Sequence, residues 1–188
     1  MKFHDIKRAF QESRKFQNDI IYFTQTYCVD FKLNDSQIGY LHKIADGNDS
    51  LINESTSHIK ELNLSFALWK MLVSPYTSIV FMTSDNKTKN LAVQKFREMM
   101  DRLVMSSTIF KFVLKCNLKY EIWLLNNSSI FFCDYPNFKY KLRGRNFNIL
   151  ILDNFSSFRK QNEFLQLVVP VVTSSKNKKI IGLNNDRT

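Results

Sequence analysis

The sequence predicts an α/β fold in which helices flank a mostly parallel sheet, preceded by an N-terminal helical segment. Two observations carry this. Short apolar runs of strand length, 78–83 (SIVFMT), 148–152 (NILIL) and 179–183 (KIIGL), are separated by stretches whose apolar residues recur at helical spacing. After Asn148, the run at 148–152 is also continuously apolar and ends at Asp153, as a central strand buried on both faces reads. Strands alternating with helices favour parallel pairing through right-handed crossovers.

Each element has a local reason. Phe3, Ile6, Phe10, Ile20, Ile21 and Phe23 recur among charges, so residues 1–27 read as helical. Residues 1–30 are expected to form the helical segment and 31–188 a single compact α/β domain, with no internal repeat or dividing linker. Asp35 or Ser36 can cap a helix carrying Ile38, Leu41 and Ile44, and Asp46-Gly47-Asn48-Asp49 stops it. Residues 50–53 are a short apolar segment. A helix holding Leu62, Leu64, Phe66, Leu68, Trp69 and Leu72 follows and closes at Pro75.

After the 78–83 strand, Ser84 and Asp85 cap a long helix over about 86–104, with Leu91, Phe96, Met99, Met100 and Leu103 expected on its inner face. The runs 120–125 and 129–133 flank Asn126-Asn127, a plausible hairpin turn. A basic loop at 139–145 precedes the 148–152 strand. Residues 163–169 are helical, and Pro170 interrupts or ends that helix.

Composition excludes several classes. The chain has 188 residues, 44% hydrophobic and 14% aromatic, with only 4 Gly and 3 Pro, so it can bury a core and is not globally disordered. No run reaches the length of a membrane span, and Met1 to Phe16 lacks the apolar centre of a signal peptide, so a soluble protein made in a cytoplasm is expected. Cys28, Cys116 and Cys133 form no CxxC pair, and His4, His42 and His58 sit in no ligand spacing near them. Buried free thiols are expected, with neither a disulfide framework nor structural zinc. The net charge of +10 favours DNA or another polyanion as partner, although a basic protein without such a partner has the same balance.

Several segments, in order, resemble the large terminase subunit of tailed phages in its myovirus form, the motor that packages DNA into the prohead. Residues 30–37 (DFKLNDSQ) resemble the family's adenine motif. Ala67-Leu68-Trp69 is similar to the helix after the phosphate loop, and Leu142-Arg143-Gly144 to a segment shortly before the second acidic strand. Residues 149–155 (ILILDNF) stand where the family has that strand, and 164–170 with 178–181 match the helix, proline and strand that follow. The similarity runs from about Asn18 to the C-terminus. It implies a P-loop-NTPase-like fold of the terminase ATPase type, Gln37 as the adenine-reading residue, Lys60 as the phosphate lysine and Asp153 as the metal-binding carboxylate.

The departures from the family pattern imply lost catalysis. A phosphate loop needs glycines to wrap the phosphates, a lysine on the terminal phosphates and a hydroxyl on magnesium. Residues 53–61 (NESTSHIKE) contain no glycine, and Glu61 stands in place of the hydroxyl residue. Asn154 replaces the family's catalytic glutamate, and an amide cannot act as the general base. The coupling motif reads Gly182-Leu183-Asn184-Asn185. No catalytic residue is therefore expected, and no resident cofactor beyond a vestigial Mg-ATP site at Gln37, Lys60 and Asp153. His58 has no nucleophile or acid positioned with it, and no carboxylate cluster suits two-metal nuclease chemistry.

For partners, Lys139, Lys141, Arg143 and Arg145, interleaved with Tyr135, Phe138 and Tyr140, could pair with phosphates and stack on bases. A solvated loop or a protein contact fits the same residues. Weaker basic patches are the Lys87-Lys89-Lys95-Arg97 face of the long helix and the N-terminal Lys2, Lys7, Arg8, Arg14 and Lys15. The leading expectation is a non-catalytic, terminase-like protein of a phage or virus, in the host cytoplasm or on the virion, that binds DNA or a virion or packaging partner and no membrane. The alternatives are an ATPase that is active or completed by another chain, and a purely structural assembly protein.

Overall fold

The computed structural model describes residues 14–46, 50–52, 57–106, 114–173 and 179–183, and among them seven strands share one sheet. In chain order these are β1 (Ser50–Ile52), β2 (Ser78–Thr83), β3 (Leu114–Asn117), β4 (Glu121–Leu124), β5 (Ser129–Asp134), β6 (Ile149–Leu152) and β7 (Lys179–Leu183). Their spatial order is β1-β7-β6-β2-β5-β4-β3. The first five in that order pair in parallel, and β4 and β3 complete one edge antiparallel. The expected α/β fold with a mostly parallel sheet is what forms.

The helices are α1 (Ile20–Phe23), which runs into a π-helical turn at Thr24–Cys28, then α2 (Asp35–Asp46), α3 (Ile59–Val73), α4 (Asn86–Ser106), α5 (Phe138–Lys141) and α6 (Gln161–Thr173). They cover both sheet faces. Ile79 and Phe81 of β2 and Ile149 and Ile151 of β6 join a core with residues of α1 to α4. The alternate residues Val80, Met82, Leu150 and Leu152 join a second core with Phe138, Phe164 and Val168. Burial on both faces explains why these strands read as continuous apolar runs.

The Asn126-Asn127 turn closes the β4–β5 hairpin, with Asn127 in the left-handed region at φ 63. Asn126 Nδ2 also donates to the Met71 carbonyl at 2.6 Å, which ties the hairpin to the end of α3.

Three expectations need correction. Leu91 is 50% exposed, and the inner stripe of α4 is Ala92, Val93, Phe96, Met99, Met100 and Leu103. Five residues along a helix turn the side chain about 140° away, so Leu91 cannot share a face with Phe96. Pro170 does not end its helix but lies in the last turn of α6, exposed, where the ring is accommodated with the loss of one backbone bond. Residues 139–145 are not an open loop, because α5 and the turn at Gly144 (φ +75) fold them back on the protein.

Candidate functional site

The central parallel strands deliver three polar side chains to their carboxyl ends, where α/β sheets bind ligands. Thr83 ends β2 in register with Asp134 of β5. On the other side of β2, the Asp153 N–H donates to the Met82 carbonyl at 2.8 Å. The helices that cover this face, α3 and α4, supply Lys60 and Lys89.

Lys60 and Asp153, which the resemblance assigns to one vestigial site, are brought together. Lys60 Nζ stands 3.2 Å from Asp153 Oδ2, and the carboxylate is buried while the lysine is about one-third exposed. Beyond this ion pair, Oδ2 has no directed hydrogen-bond donor among the described residues. Burial raises the Asp153 pKa above the usual carboxylate value. Lys60 opposes that rise, while the nearby charges of Glu61 and Asp85 add to it.

Gln37 is buried and fully engaged. Its Oε1 accepts from the Asn34 N–H at 3.0 Å while Asn34 Oδ1 accepts from the Gln37 N–H at 2.9 Å. This reciprocal pattern is a capping box, and it makes Asn34, rather than Asp35 or Ser36, the cap of α2. Gln37 Nε2 donates to the Ser57 carbonyl at 3.1 Å, holding α2 to the turn before Lys60. All of the amide's groups serve the fold.

Asn154 adopts a left-handed conformation at φ 55 and builds the turn after β6. Its Oδ1 accepts from Ser156 Oγ at 3.0 Å, and its carbonyl accepts from the Ser157 N–H and hydroxyl. Asparagine tolerates this conformation because its short polar side chain bonds locally. His58, also left-handed at φ 60, stacks on Phe31 with ring centroids 4.3 Å apart. A cavity of about 160 Å³ opens beside that stack, next to Glu61, Lys95 and Arg102.

An undirected carboxylate oxygen at Asp153 is what a cation would satisfy, but the Lys60 ammonium already stands beside it, and the nearby Glu61 adds a second negative charge. Residues 53–56 and 184–185, which complete the phosphate-loop and coupling segments, lie outside the described residues.

The basic candidates divide. Lys141 pairs with Asp134 at 3.3 Å, and Arg145 with Glu121 at 2.9 Å while also packing over the Phe131 ring. Lys139 pairs loosely with Glu163 at 3.5 Å, and exposed Arg143 has no carboxylate partner among the described residues. Of the interleaved aromatics, Phe138 is buried. Tyr135 packs against Phe138, Phe158 and Phe164 and donates its hydroxyl to the Arg159 carbonyl. Only Tyr140 is open, at 86% exposure.

The basic face of α4 also needs correction. Lys89 is buried, Lys95 pairs with Glu98, and Arg97 donates to Asn117 and to the Leu118 carbonyl. In the N-terminal patch, Lys15 lies over the Tyr22 ring at 4.0 Å, while Lys2, Lys7 and Arg8 fall outside the described residues.

Sequence reasoning missed a second buried ion pair. Lys89 Nζ lies 2.5 Å from Asp134 Oδ1 with both side chains buried, the Tyr120 ring sits 4.2 Å from the ammonium, and Asn137 donates to Oδ2. Burial alone would raise the Asp134 pKa, but the hydrogen bonds from Lys89, Asn137 and Lys141 outweigh it and hold the carboxyl below its usual value. A signal existed: Asp134 ends the apolar run 129–133 just as Asp153 ends 149–152.

No family model matches the sequence, and no curated protein matches it. Solved structures do match. The HK97 bacteriophage large terminase superposes with a TM-score of 0.72 at 14% identity, over 89% of this chain. The fold is that of a phage large-terminase ATPase domain. The ATPase domain of the Thermus phage P74-26 large terminase superposes with a TM-score of 0.63 at 12% identity over 88% of this chain, and a point mutant of that domain gives 0.65 at 11%. The resemblance read from the ordered motifs is thus borne out as a terminase-type fold. This chain spans 37% of the length of the HK97 protein and 68% of the Thermus phage domain. Among the described residues, no helix is long and apolar enough to cross a membrane.

Proposed function

We propose that this chain is a phage packaging-motor-related protein whose nucleotide site is closed, and which works in the host cytoplasm or on the virion by binding DNA or a virion or packaging protein. The observation that carries this reading is the Lys60–Asp153 ion pair. Lys60 and Asp153, which the resemblance assigns to the phosphate and the metal, pair with each other at 3.2 Å instead. A triphosphate would have to break that contact and face Glu61 without a glycine loop to receive it.

Thermal melting with and without Mg-ATP tests the closed site. No shift is expected, whereas stabilisation by several degrees overturns the reading. That outcome favours a second reading, an ATPase completed by another chain, for which the undirected Asp153 Oδ2 is the supporting observation. For DNA, binding with a steep salt slope that flattens when Lys139 and Arg143 are neutralised supports a nucleic-acid partner. Arg145 is left unchanged in this test, because it already serves the fold through Glu121 and Phe131.

A further inference from the structure

A groove of about 440 Å³ runs between α5 and α6. Its floor is apolar, made by Phe138, Leu142 and Val168, all buried at the outer edge of the second core, with half-exposed Leu167 as one wall. The floor is stiff because Phe138 packs edge-on against Phe164 at 4.9 Å and stacks with Tyr135 at 5.7 Å. Two cations stand on the rim. Arg143 is exposed and lacks a carboxylate partner among the described residues, and Lys139 holds Glu163 only at 3.5 Å with both side chains about half exposed.

We propose that this groove docks an acidic, amphipathic segment of a partner protein, with apolar side chains on the floor and carboxylates against Arg143 and Lys139. The inference deepens the interaction role proposed above and rests on it. Charge and shape choose the occupant. A phosphodiester backbone is recognised by a track of cations, yet Lys141 and Arg145 of this segment are turned inward onto Asp134 and Glu121. What remains is a concave apolar surface with positive charge only at its border, and a hydrated phosphate chain gains nothing from covering apolar floor. An amphipathic segment gains from both parts. Its apolar face covers the half-exposed Leu167 beside the floor, and its acidic flank meets Arg143, which has no carboxylate partner among the described residues, and Lys139, which holds Glu163 only loosely.

The test uses the full chain and a displayed library of random 16-residue peptides as the probe, with Leu167→Glu and Arg143→Glu as variants. Both residues are exposed, and melting curves would check that the variants fold. The expected result is enrichment of peptides combining Asp or Glu with Leu, Phe or Met, whose affinity falls at least about 10-fold on each variant. Failure to enrich, enrichment of non-acidic peptides, or affinity unchanged by both variants overturns the inference. Duplex DNA that binds at low salt and loses affinity on the same two variants also overturns it, in favour of a nucleic-acid surface. None of these outcomes depends on Mg-ATP melting, so a dead groove and an open nucleotide site fail separately.

Discussion

The Lys60 ammonium lies 3.2 Å from the Asp153 carboxylate, joining the first turn of α3 to the end of β6. The two partners are not equivalent. Asp153 is buried with its pKa raised, chiefly by that burial, whereas Lys60 is about one-third exposed and can reach water if released.

Lys60→Met is therefore expected to destabilise the protein at pH 7 by about 1–3 kcal/mol, the buried-pair cost discounted for the lysine's exposure. It leaves a buried carboxylate unpaired, with a folded-state pKa raised further. A raised carboxyl pKa means the folded state binds the proton more tightly, so the penalty is largest above that pKa and shrinks as the pH falls towards it. Asp153→Asn should cost less, and the double variant should fall near the milder single. Urea melts of the three variants at pH 5 and pH 7 check this, and a Lys60→Met penalty that grows on acidification would sink it.

The Lys89–Asp134 pair should behave in the opposite way with pH. Its carboxyl pKa is held down, so its stabilisation is present above the unfolded value and is lost as the pH falls through the folded one. Lys89→Met should cost about 3 kcal/mol, the lower part of the buried-pair range, because Lys141 remains 3.3 Å from the same carboxylate. The acid limb of the stability profile below about pH 4 should flatten in this variant. An unchanged acid limb would assign the pair no part in stability.

How far the sequence was legible depended on whether a residue's role was local. The runs 78–83 and 149–152 announced central strands because both faces are buried, and Asn126-Asn127 announced its turn through backbone chemistry confined to neighbouring residues. Lys60 and Asp153 could be named as members of one vestigial site only through the resemblance, because their direct contact depends on how α3 crosses β6, which no local pattern encodes. The same limit hid Lys89. On α4 it read as one cation among Lys87, Lys95 and Arg97, and only the sheet register that brings β5 beneath the helix places Asp134 under it. The segment 139–145 was misjudged for the same reason, since the carboxylates that engage Lys141 and Arg145 come from β5 and β4.

Asp85 caps α4, with Oδ1 accepting from the Thr88 N–H at 2.9 Å and Oδ2 from the Thr88 and Ser84 hydroxyls at 2.8 and 2.7 Å. The Thr88 backbone bond is the main reason its pKa is lowered to about 2. Asp85→Ala should cost about 1 kcal/mol at pH 7. Because the carboxyl pKa is depressed, the cap is fully present above about pH 4 and is lost as the pH falls towards 2, so variant and parent should converge in strong acid. A gap that persists at pH 2 would mean the side chain's contribution is not that of a charged cap.

The three cysteines should separate by reactivity. Burial pushes the Cys28 thiol up to about 12, with Ser65 and Arg102 opposing the rise. It does the same to Cys133, helped by the charge of Asp134. Only a thiolate attacks an aromatic disulfide reagent, so at pH 8 both residues are protonated as well as shielded. Cys116, on the edge strand β3, is partly exposed. In the native protein Cys116 should react first and alone, while in denaturant all three should react together. Mass mapping of the modified sites resolves them, and modification of Cys28 or Cys133 at the Cys116 rate, in protein still folded by circular dichroism, would contradict the burial that raises their pKa values.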